Sequence, residues 1–289
     1  MIPLPEPLGG ERRRFTWRSY QVAYTIRGSG PPMLLVHSIH AAAWSMEWRN
    51  VVTALANRHT IFAIDLLGFG ASDRPPLHYT ADLYIDLVRD FLRDVIGAPA
   101  VVVGSSLGGT YAVRVAAQHP ELVRALSIVG PAGVSRLFSS EGAVGAVGTV
   151  VQGLFRLPVV GEGLFSAITS RGSIRFFLKD IYLDAGAMTP EAVELYWRGA
   201  HAEGARFAPS AFVGMRLNCD IRQDLRQLTV PLQIVWGEQA SQTPFRESSQ
   251  VRAIRPDAPF AAVPGGDLPH DESPGLFLTA LFGFLDTLD

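Results

Sequence analysis

A glycine-rich turn between a buried strand and a helix is the feature of this sequence that most constrains its fold. The segment reads VVVGSSLGG and carries the pattern Gly-x-Ser-x-Gly at residues 104–108. A continuous apolar run precedes the turn and a helical pattern follows it, which is the context of a strand–turn–helix geometry. Small residues must flank the serine in so tight a turn. We therefore expect Ser106 to project above the sheet edge, with the backbone N–H of Leu107 pointing into the same space.

Strand-like and helical segments alternate along most of the chain. The stretch 15–28 alternates apolar and polar residues and predicts an antiparallel hairpin. Alternating strands and helices are typical of a mostly parallel sheet covered by helices on both faces. The remaining predicted strands lie at 33–38, 59–66, 100–105, 125–130, 231–237 and 259–265.

The alternation stops after Pro131. Residues 132–219 contain helical stretches and many glycines and aromatic residues, but no continuous apolar run typical of a buried strand. We interpret this segment as a helical cap, inserted into a core domain formed by residues 1–131 and 220–289. Because a cap over such a serine forms the roof of a pocket, and pockets are mostly apolar, we expect an apolar small-molecule substrate.

Composition restricts the partners and the compartment. The 289 residues carry a formal net charge of −2, which gives no reason to expect nucleic acid or an anionic membrane surface as a partner. Cys219 is the only cysteine, so no intrachain disulfide can form. The sequence shows no signal peptide, and no uncharged stretch reaches the roughly 20 residues that span a bilayer. We expect a cytoplasmic protein without metal, nucleotide or other cofactor, of undetermined oligomeric state.

With the Ser106 turn, two further loops give the chain a resemblance to the α/β-hydrolase superfamily. LLVHSIH at 34–40 resembles the family's strand and oxyanion loop, and DLLGFGASDRP at 65–75 resembles its Asp-x-x-Gly-x-Gly-x-Ser-Asp loop. The resemblance implies an eight-stranded, mostly parallel sheet, a cap after the sixth strand, and an oxyanion hole made by the N–H groups of Ile39 and Leu107. Serine at this position argues against the dehalogenase and epoxide-hydrolase branches, which use aspartate.

The other two members of the family's catalytic triad are missing by residue type. Where the family places its acid, this chain has Ala240, and the nearby Glu238 lies on a different side of the turn. Where the family places its histidine, five residues before Glu272, this chain has Asp267. A serine hydroxyl needs an adjacent base, and that base needs a third group to orient it. The sequence therefore does not predict a standard Ser-His-Asp relay.

His270 offers a substitute base, because it lies only three residues after the expected site. Alternatively it is a surface histidine beside Asp271 and Glu272, since acidic residues are favoured near helix N-termini by the macrodipole alone. His37 is expected to hold the oxyanion loop. The residues predicted to line the pocket are His37, Ser38, His40, Ser105, Trp197, His201 and Phe207.

Three functions are compatible with this pattern. The first is an enzyme acting on an apolar carbonyl compound, in which the oxyanion hole stabilises an enolate-like charge and Asp267 moves a proton. Isomerisation, elimination, retro-aldol cleavage and cyclisation are reactions of this kind. The second is a serine esterase with His270 as base, because the orienting acid contributes less than the nucleophile or the base. The third is a non-catalytic binding protein on an enzyme fold.

Overall fold

An eight-stranded sheet forms the centre of the computed structural model, which describes residues 4–135 and 146–288. The strand order is β1-β2-β4-β3-β5-β6-β7-β8, in which β1 pairs antiparallel with β2, β2 pairs antiparallel with β4, and all other pairs are parallel. The predicted fold class is thus confirmed. The strands are β1 (Glu11–Trp17), β2 (Tyr20–Arg27), β3 (Pro32–Val36), β4 (Thr60–Ile64), β5 (Ala100–Ser105), β6 (Val123–Val129), β7 (Leu232–Gly237) and β8 (Phe260–Val263).

Helices cover the sheet and fill the interval between β6 and β7. None of the helices in the described residues is long and apolar enough to cross a membrane. The helices are α1 (Val52–Ala56), α2 (Ala81–Phe91), α3 (Leu107–Gln118), α4 (Ala146–Arg156), α5 (Val160–Ile168), α6 (Arg171–Ile181), α7 (Pro190–Ala200), α8 (Phe207–Val213), α9 (Arg222–Gln227), α10 (Ser248–Ile254), α11 (Pro269–Glu272) and α12 (Pro274–Leu285).

The central strands are buried on both faces, which explains their continuous apolar sequences. In β3, Leu34 and Val36 pack into the core layer that contains α2 and α3, whereas Met33 and Leu35 pack into the layer that contains α1 and α12. Successive side chains of a strand point to opposite faces, so both faces of a strand covered on both sides must be apolar. The parallel strands bring their carboxyl ends to one edge of the sheet, where the loops carrying Ser106 and the oxyanion loop begin.

Helices α4 to α8 lie within the segment predicted as the cap, and part of that segment, residues 136–145, lies outside the described residues. These helices have an apolar cluster of their own, which includes Phe155, Phe165 and Leu178. Trp44 and Leu268 from loops of the core pack into the same cluster. The helices of the predicted cap are therefore joined to the rest of the chain by shared apolar packing.

A buried polar network also joins the cap to the core. The Asp271 carboxylate accepts a hydrogen bond from the Tyr182 hydroxyl at 2.5 Å and pairs with Arg49 at 2.7 Å. The hydroxyls of Tyr182 and Tyr196 lie 2.9 Å apart, so Tyr196 donates to Tyr182, whose own proton points to Asp271. Burial raises the pKa of Asp271 to about 6, although Arg49 and the Tyr182 hydrogen bond lower it. The carboxylate is therefore mainly ionised above neutral pH.

The network predicts unequal effects for removal of the two hydroxyls. Tyr182→Phe removes a hydrogen bond to a charged group, and we expect it to lower the free energy of unfolding by about 1.5–3 kcal/mol. Tyr196→Phe removes one bond between neutral groups, and we expect a loss of about 0.5–1.5 kcal/mol. Urea unfolding at pH 8 measures both values. Equal losses, or a larger loss for Tyr196→Phe, would contradict the order of hydrogen bonds described above.

Candidate active site

The turn that carries Ser106 has the strained geometry expected of a nucleophile elbow. Ser106 has φ 49° and ψ −122°, and it lies between the end of β5 and the first residue of α3. A Cβ atom on Gly104 would lie 2.6 Å from the Cα of Gly109, and one on Gly108 would lie 2.3 Å from the His37 carbonyl oxygen. The turn therefore requires both glycines. Strain of this kind clusters at functional sites.

The oxyanion loop lies beside this turn and is fixed by a buried histidine. His37 is fully buried; its Nδ1–H donates to the Ser38 carbonyl at 2.5 Å, and its Nε2 accepts from the Leu66 N–H at 3.1 Å. Burial lowers the pKa of His37, although Glu47 and Asp65 raise it, and the ring stays neutral. His37 thus joins the loop to the segment after β4, as its predicted structural role requires.

A cavity of about 350 Å³ opens between this loop and the cap. Ser106, Leu107 and Ile39 border it on the core side, and aromatic and aliphatic side chains of α4, α5, α6 and α8 form most of its roof. The polar residues along its wall include Thr169, Asp180, Gln242 and Thr243. The cavity therefore places a hydroxyl and the two predicted oxyanion donors at one end of an apolar space.

Asp267 borders the cavity, but its oxygens are already bound. The carboxylate accepts backbone hydrogen bonds from Ser241, Gln242 and Thr243 at 3.0–3.1 Å, and the hydroxyls of Ser241 and Thr243 lie at 3.2 and 3.4 Å. The Ser241 hydroxyl donates its one proton to the Asp180 carbonyl at 2.5 Å, so three backbone N–H groups and the Thr243 hydroxyl remain as donors to the carboxylate. Since a carboxylate offers about four lone-pair sites, these donors use its capacity. The carboxylate thus anchors the loop that follows Ala240.

The position of the family's acid contributes no charge to the cavity. Ala240 is buried in the turn after β7, and Glu238 is exposed and does not border the cavity. Positions 240 and 267, where the sequence lacks the family's acid and histidine, therefore lie on neighbouring loops. The Asp267 carboxylate accepts hydrogen bonds from backbone N–H groups of the loop that follows Ala240. In the family's arrangement, a histidine ring would bind a carboxylate there.

His270 is buried in the core, so the expectation of a surface histidine is wrong. Its ring stacks on Trp48 with the ring centroids 4.1 Å apart and also contacts Phe277. Within the described residues, neither ring nitrogen has a hydrogen-bond partner. Burial lowers the pKa of His270 to about 4, while Glu47 raises it and Arg49 lowers it. His270 does not border the cavity, and the structure does not bring it to Ser106.

Five residues predicted to line the pocket lie elsewhere. Ser105 and His37 are fully buried at the carboxyl ends of β5 and β3 and do not border the cavity. Trp197 stacks on His201 at 4.5 Å and carries the Arg171 guanidinium on its ring at 3.5 Å. Phe207 packs under the Arg206 guanidinium at 4.5 Å. Of the pocket residues predicted from the sequence, Ser38 and His40 border the cavity.

Glu47 is not among the residues predicted from the sequence, yet it organises the oxyanion loop. It is fully buried in the short helical turn Ser45–Trp48 and accepts from the Ser38 N–H at 3.0 Å, the Ser38 hydroxyl at 2.7 Å and His40 Nε2 at 3.1 Å. Burial alone would raise the pKa of Glu47, but the hydrogen bond and charge of His40 lower it to about 2. A single glutamate in an apolar run gave no signal of this role.

The buried His270 predicts a specific pH dependence of stability. The unfolded state binds a proton near pH 6.5, but the folded state binds it only near pH 4, so the wild type loses stability as the pH falls between these values. We expect His270→Phe, which keeps the stacking on Trp48, to gain about 2 kcal/mol relative to wild type between pH 7 and pH 5. Urea unfolding at both pH values measures the difference.

His119→Phe is the matched control, because His119 lies at the partly exposed end of α3 beside Glu121. The difference between this variant and wild type should change little over the same range. If His270→Phe behaved in the same way as the control, His270 would titrate normally in the folded protein and would have to be accessible to protons.

The anchoring role of Asp267 predicts a loss of stability rather than a purely catalytic effect. Asp267→Asn replaces one accepting oxygen by an NH₂ group that faces backbone donors, and we expect a loss of about 1.5–3 kcal/mol. Asp257→Asn is the control, because Asp257 forms an exposed pair with Arg255, worth about 0–1 kcal/mol. Equal, small losses in both variants would show that the Asp267 carboxylate is not needed by the loop and is free for proton transfer.

Known proteins share this architecture. The chain matches the alpha/beta hydrolase family over residues 33–280. An uncharacterized protein of Mycobacterium tuberculosis (strain ATCC 25618 / H37Rv) is 31% identical over 294 residues, covering 95% of this chain and 81% of the relative. The 2-(acetamidomethylene)succinate hydrolase of Mesorhizobium japonicum is 29% identical and covers 90% of both chains. The crystal structure of a serine hydrolase involved in carbazole degradation, the CarC enzyme, superimposes with a TM-score of 0.78 at 23% identity, covering 96% of this chain and 99% of that one. This chain therefore belongs to the α/β-hydrolase family.

Proposed function

We propose that the protein is an enzyme that binds an apolar, carbonyl-containing small molecule and catalyses proton transfer on it without forming an acyl-serine. One observation carries the proposal. Ser106 and the two oxyanion-hole residues border an apolar cavity, yet within residues 4–135 and 146–288 the Ser106 hydroxyl has no hydrogen bond to a histidine or a carboxylate. The site keeps the means to stabilise negative charge on oxygen and lacks the means to activate the serine.

The chemistry follows from where charge is stabilised. The N–H groups of Ile39 and Leu107 would bind the carbonyl oxygen of the substrate and stabilise the enolate that forms when a proton leaves the neighbouring carbon. Leu107 is the first residue of α3, so the positive end of the helix dipole adds to this effect. The apolar roof excludes water and strengthens both interactions. Isomerisation, elimination, retro-aldol cleavage and cyclisation all proceed through such an anion.

The substrate class follows from the cavity and from one relative. Phe155, Phe165 and Leu178 are among the apolar side chains of the wall, which favours a substrate with a substantial hydrocarbon part. The relative from Mesorhizobium japonicum is named as a hydrolase of 2-(acetamidomethylene)succinate, a compound with an acetamido carbonyl. The relative supports a carbonyl compound as substrate, and the apolar wall favours a less charged one.

The two alternative functions, a serine esterase and a non-catalytic binding protein, differ in how well the structure supports them. A serine esterase with His270 as base finds no support, because His270 stacks under Trp48 outside the cavity. A non-catalytic binding protein is the second candidate, favoured by the occupied oxygens of Asp267. Measured turnover separates this candidate from an enzyme.

Exchange of a carbon-bound hydrogen tests the proposal directly. We expect the protein to accelerate α-hydrogen exchange of phenylacetone and its 4-alkyl homologues in D₂O, followed by loss of the benzylic proton signal in ¹H NMR. Ser106→Ala should change the exchange rate by less than about tenfold, because the hydroxyl has no base to activate it. A fluorophosphonate should not label Ser106.

Two outcomes would contradict the proposal. If Ser106→Ala abolished turnover and the fluorophosphonate labelled the wild type rapidly, the protein would be a serine hydrolase. If the ketones bound but did not exchange faster than in buffer, the non-catalytic alternative would stand.

A further inference from the structure

We propose that His40 is the catalytic base of this cavity and that Glu47 is the positioning residue that orients it. This inference deepens the proposed function and rests on it. It assigns the proton acceptor to the oxyanion loop itself. The substrate class is an apolar carbonyl compound with an acidic hydrogen on the carbon next to the carbonyl group.

His40 lies where a base for this chemistry is needed. It follows Ile39 directly, and consecutive Cα atoms across a trans peptide are about 3.8 Å apart. Both residues border the cavity, and the His40 side chain is only 22% exposed. We infer that a carbonyl oxygen bound at the Ile39 N–H places its neighbouring carbon within reach of the His40 imidazole.

Two hydrogen bonds define which nitrogen of His40 is basic. Nε2 lies 3.1 Å from an oxygen of Glu47, and an ionised carboxylate only accepts, so Nε2 carries the hydrogen. Nδ1 accepts from the Ala42 N–H at 3.3 Å. Both contacts assign the same tautomer, in which the lone pair that can take a proton is on Nδ1. Its bond to Ala42 is long, so a substrate proton competes with a weak interaction.

Glu47 is the acidic partner of this histidine, in the role that the triad acid has in the family's arrangement. The carboxylate is fully buried, and two hydrogen bonds from Ser38 fix its position. Because its pKa is lowered to about 2, it is ionised at neutral pH. It would hold the ring in one tautomer and stabilise the imidazolium that forms when Nδ1 takes a proton.

The other charged and titratable groups near His40 are few. Within the described residues, the ring contacts Tyr196 at 5.6 Å between centroids, and the buried His37 lies three residues earlier on the same loop. Asp180 and Asp267 border the same cavity. Of the charged groups around His40, Glu47 is the one with a hydrogen bond to the ring within the described residues.

Elimination of the other candidates supports the assignment. His37 is fully buried and does not border the cavity, and His270 also lies outside it. The oxygens of Asp267 are occupied by the loop 241–243. His40 is the histidine that borders the cavity within the described residues.

The reaction balances without any further reactant. The bond between the α-carbon and its hydrogen breaks, and the proton forms a new bond to His40 Nδ1. The electron pair of the broken bond forms a carbon–carbon double bond, and the carbonyl π pair moves to the oxygen held by Ile39 and Leu107. When the hydrogen on Nδ1 is replaced by deuterium from the solvent before it returns to the α-carbon, the result is exchange, and its delivery to a conjugated carbon gives isomerisation.

The test combines exchange kinetics with NMR of the histidine ring. In the wild type, ¹⁵N NMR should show His40 with a protonated Nε2 and an unprotonated Nδ1. His40→Gln should lower the exchange rate of phenylacetone by about 10²–10⁴-fold, while ketone affinity changes little. His119→Gln, on the protein surface, should leave exchange unchanged. Glu47→Gln keeps the shape of the side chain and should move the acid limb of the pH–rate profile to lower pH, because the anion that stabilises the protonated ring is gone.

Each outcome decides a separate point. Exchange that survives His40→Gln would overturn this inference and leave the proposed function intact. Absence of exchange in the wild type would overturn both. A His40 ring protonated on Nδ1 in the wild type would also overturn the inference, and this readout needs no variant and no substrate. A merely structural Glu47 would lower the rate through unfolding, which circular dichroism detects, and would leave the pH limb of the folded fraction in place.

Discussion

A fully buried carboxylate is the constraint on which the site depends. Glu47 has no access to solvent, and a buried charge is strongly destabilising unless hydrogen bonds compensate for it. The compensation comes from the N–H and hydroxyl of Ser38 and from His40, so the loop predicted to form the oxyanion hole also satisfies the charge. The conformation of the loop and the ionisation of Glu47 therefore depend on each other.

A second carboxylate, that of Asp267, holds two loops of the core together. In the family's arrangement, a histidine at position 267 would be oriented by a hydrogen bond to an acidic residue near position 240. In this chain Asp267 instead binds three consecutive backbone N–H groups of the loop 241–243. Asp267 therefore acts as a structural anchor between the two loops.

The sheet was predictable because its sequence signal is local and strong. Apolar runs such as that of β5 and the glycines around Ser106 leave few alternatives for the backbone, and both lie where the pattern predicts. The individual pocket residues were less predictable, because cavity position depends on tertiary packing. A histidine at position 270 is compatible with a catalytic base in the sequence. Only the structure, in which its ring stacks on Trp48, identifies it as a core residue. Glu47 could not be identified, since its partners are set by the fold of the loop.

The proposed function requires that the oxyanion hole acts on a carbonyl group without attack by Ser106. The most direct measurement is ¹³C NMR of the protein with 1,1,1-trifluoro-3-phenylpropan-2-one labelled at the carbonyl carbon, an electrophile that traps activated serines as hemiketals. We predict the same bound signal for the wild type and for Ser106→Ala, because the serine takes no part in holding the ligand covalently. A tetrahedral carbon signal that appears with the wild type and is absent with Ser106→Ala would contradict the proposed function.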